Sequence, residues 1–127
     1  MKKLMLAAGA VALLATPAFA DLATELSTAQ THAGMASTQT DIMMAHKHLQ
    51  HAVNCLEGPS GADFDAAAGN PCGKAGNGAI ADSTDAAQKA KLQSIATSAK
   101  AGVGNADLAA SQASAKSTAD AIASAAK

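Results

Sequence analysis

The chain contains no arginine, tryptophan or tyrosine, and its two phenylalanines give an aromatic content of 2%. Proteins that read nucleic acids or phosphate groups rely on basic surfaces rich in arginine, so the lack of arginine argues against that class. Few aromatic side chains also leave little to line a substrate pocket. No Ser-His-Asp arrangement stands out, and we therefore expect a non-enzymatic protein.

The first twenty residues follow the pattern of a secretory signal peptide. Lys2 and Lys3 give a positive start, residues 4–15 are apolar, and residues 18–20 (Ala-Phe-Ala) end the segment on small side chains. We therefore expect cleavage before Asp21 and export to a bacterial periplasm. No later segment reaches the roughly 20 consecutive apolar residues that a membrane span requires, so no membrane span is predicted.

Residues 21–127 are then expected to form a single small domain. This part holds ten acids against seven lysines, because Lys2 and Lys3 belong to the leader, and its formal charge is about −3. Phe64 is its only aromatic residue, and alanine fills most other apolar positions. The apolar area buried per residue is therefore expected to be low, and such a domain gains from a covalent or metal cross-link.

The spacing of apolar residues predicts helices. No proline interrupts residues 22–56, which keep helical spacing. Gly34 and the threonine-rich residues 37–40 weaken the middle of this helix, and Asp41 can open a second piece. Two further helices are predicted over residues 82–102 and 106–126. We predict an all-α fold, an antiparallel bundle of three helices, or of four if the first helix breaks.

A glycine-rich loop is predicted between the first helix and the next. Residues 57–81 hold six glycines and two prolines, and the only two cysteines, Cys55 and Cys72, lie before and within this segment. An even number of cysteines in an exported protein normally pairs, so we predict a Cys55–Cys72 disulfide that closes the loop. Closing a loop of this length stabilises the fold by about 3 kcal/mol on the chain-entropy model.

Three of the four histidines lie close together after the weak point of the first helix. The side chains that share one helix face, at spacings of four, three and four, are Met44, His48, His51 and Cys55. The apolar side chains roughly opposite, which we expect to face the core, are Met35, Ile42, Leu49 and Val53. The first face carries the residue types that bind transition metals.

Imidazoles three residues apart can bind one ion, with a thioether from Met44 or Met43 and an oxygen of Asp41 or a loop carbonyl completing its coordination. Imidazole suits copper, zinc and nickel, and thioether favours Cu(I). The cysteines are expected as a disulfide and not as ligands. A non-covalent haem held by methionine and histidine is a further alternative.

The other two histidines are placed differently on the helix. His46 points about 160° away from His48, toward the apolar side, so it is either an additional ligand or a partly buried structural histidine. His32 precedes His46 by two heptads, which is about 21 Å along a straight helix, too far to share an ion with it. A broken helix would reopen that possibility.

Three short stretches of this region form a recognisable block. They are His46–Pro59 (His-x-His-Leu-x-His-x-Val-Asn-Cys-Leu-x-Gly-Pro), residues 70–72 (Asn-Pro-Cys) and residues 76–80 (Gly-Asn-Gly-Ala-Ile). The block resembles one in small exported bacterial proteins of unassigned activity. More loosely, it resembles small periplasmic metal-binding proteins built from histidine-bearing helices. The second resemblance implies buffering or delivery of a metal such as copper. The residues that it implies as ligands are His46, His48 and His51.

These observations lead to one hypothesis and one rival. The hypothesis is periplasmic binding or buffering of a transition metal, copper before zinc or nickel, through His46, His48, His51 and Met44. The rival is a structural or interaction module whose disulfide-closed loop presents a surface to another periplasmic protein, with histidines that are merely solvated. The sequence does not predict an oligomeric state.

Overall fold

The computed structural model describes residues 21–127, and every regular element in that range is helical. The elements are α1 (Leu22–Ser37), α2 (Ile42–Glu57), a 3-10 helix (Ala66–Ala68), α3 (Ala79–Asp82), α4 (Ala86–Val103) and α5 (Leu108–Ala125). The predicted all-α class is thereby confirmed. Within residues 21–127 no helix is both long and apolar enough to cross a membrane. The predicted signal peptide, residues 1–20, lies outside the described residues.

Each of the four long helices begins after an aspartate. The aspartate side chain accepts the backbone N–H three residues further on, which satisfies one of the free donors of the first turn. The four capping residues are Asp21, Asp41, Asp85 and Asp107. The helix starts are therefore fixed by the local sequence.

The helix predicted over residues 22–56 breaks where the sequence weakens it. It ends at Ser37, and α2 begins after the Asp41 cap, so residues 38–41 form a short connection. At the far end of the predicted loop, Asp82 ends the short helix α3 and does not open a long one. Its carboxylate accepts the backbone N–H of Asn77, and Asp85 caps α4 in its place.

The long helices enclose an alanine-rich core. Helix α1 packs against α2 and α5, α2 also packs against α4, and α4 packs against α5. The large aliphatic side chains that are fully buried are Leu49, Val53, Leu56, Leu92 and Ile122. Alanine fills most of the other core positions, which lets the helix backbones approach closely.

The segment that follows α2, residues 58–78, is tied down onto that helix, and we refer to it as the docked loop. The predicted Cys55–Cys72 disulfide is present, with both cysteines buried. Asn54, fully buried one position earlier, donates to the carbonyls of Asp65 and Gly69, both at 2.7 Å, and accepts the Asp65 N–H at 2.9 Å. Because these are backbone groups of the loop, one α2 side chain fixes the path of the loop.

The two ends of the docked loop meet at a pair of glycines. Gly58 and Gly78 both have positive φ, 68° and 106°. A Cβ on Gly78 would lie 2.5 Å from the Gly58 nitrogen, which no side chain tolerates. This contact closes the loop at its base and explains why glycine is needed at both positions.

Candidate metal centre

The structure brings three histidines from two helices together: His32 on α1, with His48 and His51 on α2. One ring nitrogen from each lies within 4.8 Å of the other two, a group that can hold a metal ion. The Nδ1 atoms of His32 and His48 are 3.3 Å apart, and at this distance one ring donates a hydrogen bond to the other. The His32 and His51 rings meet edge to face, with centroids 4.8 Å apart. We call these three residues the histidine group.

The break at residues 38–41 creates this group. On one straight helix, sixteen residues would separate His32 from His48 by about 24 Å. Because the chain reverses after Ser37, α1 and α2 pack side by side and the two rings face each other. His48 and His51 follow from helical spacing alone, since residues three apart are neighbours on the helix surface.

The docked loop sets the tautomer of His51. The Nε2–H of His51 donates to the carbonyl oxygen of Ala68 at 2.6 Å. In the neutral ring, Nδ1 then carries the free lone pair, and this atom is buried with no hydrogen-bond partner in the described part of the chain. A backbone carbonyl on the outer nitrogen is the usual partner of a metal-binding histidine, because it orients the ring and makes the inner nitrogen more basic.

The loop reaches His51 through a polar network on α2. Gln50 donates to Asn54 Oδ1 and to the Asp63 carbonyl, both at 2.9 Å, and accepts from Lys100 Nζ at 2.9 Å. Asn54 in turn holds the carbonyl of Gly69, the residue after Ala68. The carbonyl that orients His51 is therefore fixed by buried hydrogen bonds and by the disulfide, which start from the same stretch of α2.

The surroundings of His32 and His48 favour neutral imidazoles. Burial, followed by the charges of His51 and His48, holds the pKa of His32 below its usual range. The pKa of His48 is also lowered, first by burial and then by the charges of His51 and Lys47. A metal ligand must present a free nitrogen lone pair, so the environment already favours the form that binds an ion.

The other residues predicted for the site, His46 and Met44, are not members of the histidine group. His46 is half-buried. The Ser111 hydroxyl donates to the Gly102 carbonyl, so it accepts a hydrogen bond from the Nε2–H of His46 at 3.1 Å. His46 thus contacts α5 and is not one of the three residues in the histidine group. Met44 lies on the first turn of α2 and is 41% exposed. Cys55 and Cys72 are held in the disulfide.

The placement of Met35 on the core-facing side was wrong, because this side chain is 40% exposed. The heptad spacing that links Met35 to Ile42 and Leu49 has no meaning across the break. Sequence reasoning also missed His32 as a partner of His48, and it missed the anchoring roles of Gln50 and Asn54. The threonine-rich residues 37–40 were the sequence signal from which the contact between His32 and His48 could have been predicted.

A buried carboxyl group, that of Glu25, lies in the first turn of α1. Glu25 is fully buried; its Oε1 accepts the Gly78 N–H at 2.8 Å, and its Oε2 has no partner among residues 21–127. Burial raises the pKa of Glu25 to about 7, against the effect of the Gly78 N–H and with a further contribution from Asp82. Glu25 therefore ties α1 to the base of the docked loop.

Comparison with protein-family models, with curated proteins and with solved structures gives no match for this chain. The function must therefore be argued from the geometry of the histidine group.

Proposed function

We propose that this protein binds or buffers a transition-metal ion in the bacterial periplasm, with copper favoured over zinc and nickel. The ligands in this proposal are His32, His48 and His51. His32 replaces His46 in the set expected from the sequence, because the histidine group contains the first and not the second.

The observation that carries the proposal is the distance between the first two ligand nitrogens. Two imidazoles bound to one tetrahedral ion at 2.0–2.1 Å place their nitrogens about 3.3 Å apart. The Nδ1 atoms of His32 and His48 are 3.3 Å apart. A ring nitrogen of His51 completes the group, whose ligand atoms all lie within 4.8 Å of one another, so a movement of less than about 2 Å would complete a three-imidazole site.

The free nitrogen of His51 supports the same conclusion. A buried polar atom without a hydrogen bond costs roughly 1–3 kcal/mol. Nδ1 of His51 is such an atom, and it belongs to the only ring whose tautomer is fixed by the docked loop. A metal ion bound at Nδ1 removes that cost without disturbing the hydrogen bond from Nε2–H to Ala68.

Metal titration of single-alanine variants tests this function. We expect His32→Ala, His48→Ala and His51→Ala each to weaken binding of Cu(II), Zn(II) and Co(II) by at least about tenfold. His46→Ala is the matched control, since it removes an imidazole from the same helix but not from the histidine group. Visible absorption of the Co(II) complex reports the change in ligands directly.

Two outcomes contradict the proposal. One is an affinity no better than about millimolar that the triple alanine variant leaves unchanged. The other is a loss in His46→Ala as large as the loss in His48→Ala. Either result would favour the rival function, an interaction module in which the docked loop contacts a partner protein.

The periplasmic location is part of the proposal and has its own test. The pattern of residues 1–20 supports export. We expect the protein recovered from the periplasm to begin at Asp21 when its amino terminus is sequenced. Recovery of the protein from the cytoplasm with Met1 in place would contradict this location.

A further inference from the structure

We propose that the ion held by the histidine group is Cu(I), and that a thioether from Met35 or Met44, one helical turn from the ligand rings, completes its coordination. This inference rests on the metal binding proposed above and specifies the ion, its oxidation state and its fourth ligand. We call Met35 and Met44 the methionine rim.

The charge of the site favours a monovalent ion. In residues 21–127 the group contains three imidazoles and no carboxylate, and the only two cysteines are oxidised. Neutral ligands leave the whole charge of the ion in a half-buried site. The cost of transferring an ion from water rises with the square of its charge, so a divalent ion costs about four times as much as a monovalent one.

The methionines of this part of the chain are exposed. Met35, Met43 and Met44 are the large apolar side chains with notable exposure, at 40%, 72% and 41%. A domain with so few large apolar residues would be expected to bury them. Packing therefore does not explain why these three lie at the surface.

Helical spacing places two of the three methionines one turn from a ligand residue. Met35 follows His32 by three residues on α1, and Met44 precedes His48 by four residues on α2, so each shares a helix face with one ring. Both lie toward the connection at residues 38–41. His51 contacts the docked loop at the other end of the group. The loop and the methionine rim therefore flank the three imidazoles on opposite sides along α2.

Thioether sulfur is a soft ligand that selects Cu(I) over Zn(II). A site with only three imidazoles would also accept Zn(II) and Cu(II). Adding one thioether strengthens binding of Cu(I) and leaves binding of Zn(II) nearly unchanged. The inference can therefore be tested separately from metal binding itself.

The test compares Cu(I) and Zn(II) affinities of the purified protein and of Met35→Leu, Met44→Leu and the double variant. Cu(I) affinity is measured without oxygen by competition with bicinchoninate, with ascorbate keeping the copper reduced. Leucine keeps the side-chain volume, so the fold is preserved. Met43→Leu is the matched control, because Met43 is adjacent to Met44 but lies about 100° away around the helix.

We expect the double variant to lose at least about tenfold in Cu(I) affinity, the lower end of the effect of removing a partner at a metal site. Its Zn(II) affinity should stay within a factor of about two. X-ray absorption of the Cu(I) complex should show a copper–sulfur shell in the parent protein and in Met43→Leu, and none in the double variant.

Three outcomes overturn the inference. The first is an unchanged Cu(I) affinity in the double variant, and the second is an equal loss for Zn(II). In both of these cases the metal-binding function stands, provided that the histidine variants behave as expected. The third is a parent protein that binds neither ion, which overturns the inference together with the proposed function.

Discussion

The two long helix pairs, α1–α2 and α4–α5, share a plan and differ in what lies between their helices. Each pair has an aspartate cap on both helices and a short connection, residues 38–41 and 104–107. Each has a contact between residues sixteen positions apart. In the first pair this contact is His32 with His48 at 3.3 Å, and in the second it is the Ser114 hydroxyl donating to the Ser98 carbonyl at 3.4 Å.

The glycines of the two pairs have different surroundings. A Cβ on Gly102 of α4 would lie 2.7 Å from Leu49 Cδ2 of α2 and 2.8 Å from Ser114 Cβ of α5. A Cβ on Gly34 of α1 would have no heavy atom within 4 Å. Small residues lie in contact between α4 and α5, whereas imidazole rings lie in contact between α1 and α2. The same helix plan becomes a candidate site only where large polar rings lie between the two helices.

The largest effect is expected from removing the disulfide, which links α2 to the docked loop. The double variant Cys55→Ala, Cys72→Ala should lose about 3 kcal/mol of the free energy of unfolding, because the loop is no longer closed in the unfolded chain. Urea unfolding in metal-free buffer measures the loss. Co(II) affinity should fall as well, since the carbonyl that orients His51 is released. Unchanged Co(II) affinity would show that the loop does not support the site.

A pH-dependent stability is expected from Glu25, again on the α1 side. Its native pKa of about 7 lies above the unfolded value of 4.5. The stabilisation is complete below pH 4.5 and is lost as the pH rises toward 7, because only the unfolded chain ionises freely in that interval. The loss is on the order of 3 kcal/mol, since the two pKa values differ by about 2.5 and each pH unit between them corresponds to about 1.4 kcal/mol. Urea unfolding from pH 4 to 8 measures it.

Glu25→Gln should flatten that pH dependence, because the side chain can no longer ionise. Asp120→Asn on α5 is the control, since this exposed carboxylate pairs only with Lys116 at 2.9 Å. The control variant should keep the pH profile of the parent. A profile unchanged by Glu25→Gln would assign the pH dependence to another group.

A smaller loss of stability is expected from Gly102→Ala in the α4–α5 pair. Gly102→Ala places a methyl group against Leu49 and Ser114, so we expect a loss of about 1–2 kcal/mol from overpacking. The change in the midpoint of urea unfolding measures it. A stabilised variant would mean that α4 and α5 can move apart at little cost, and the contrast between the pairs would then fail.

The smallest effect is expected from Gly34→Ala in the first pair. The added methyl group meets open space, so the free energy of unfolding should rise by about 0.5–1 kcal/mol because the unfolded chain has a lower entropy. The same unfolding measurement applies, and Gly102→Ala is the matched comparison. A loss of stability at Gly34 would show that the added methyl group does not meet open space.

Helix positions could be predicted from the sequence because their signals are local. Asp41 after the threonine-rich residues 37–40 predicted the start of α2, and the two cysteines predicted the disulfide. Residues close in sequence, such as His48 and His51, were grouped correctly for the same reason. Helical spacing fixes their relative directions without any knowledge of the fold.

The rest of the site depends on contacts between distant residues. His32 joins the group only because the chain reverses at residues 38–41, and spacing along a helix says nothing about where a reversed helix packs. Asn54 holds loop carbonyls, which every residue possesses, so no sequence pattern singles out its partners. The exposure of Met35 was missed because a heptad was extended across the break.

The reversal at residues 38–41 also gives the site the character of a chelate. Any ion bridging His32 and His48 closes a ring of seventeen residues, and the folded core has already brought the two ends of that ring together. The unfolded chain has no such preorganisation, and His32 is distant in sequence from the other three histidines, His46, His48 and His51. Binding is therefore linked to folding, so an ion held by the native protein raises its resistance to unfolding and is released when the chain is unfolded or cleaved.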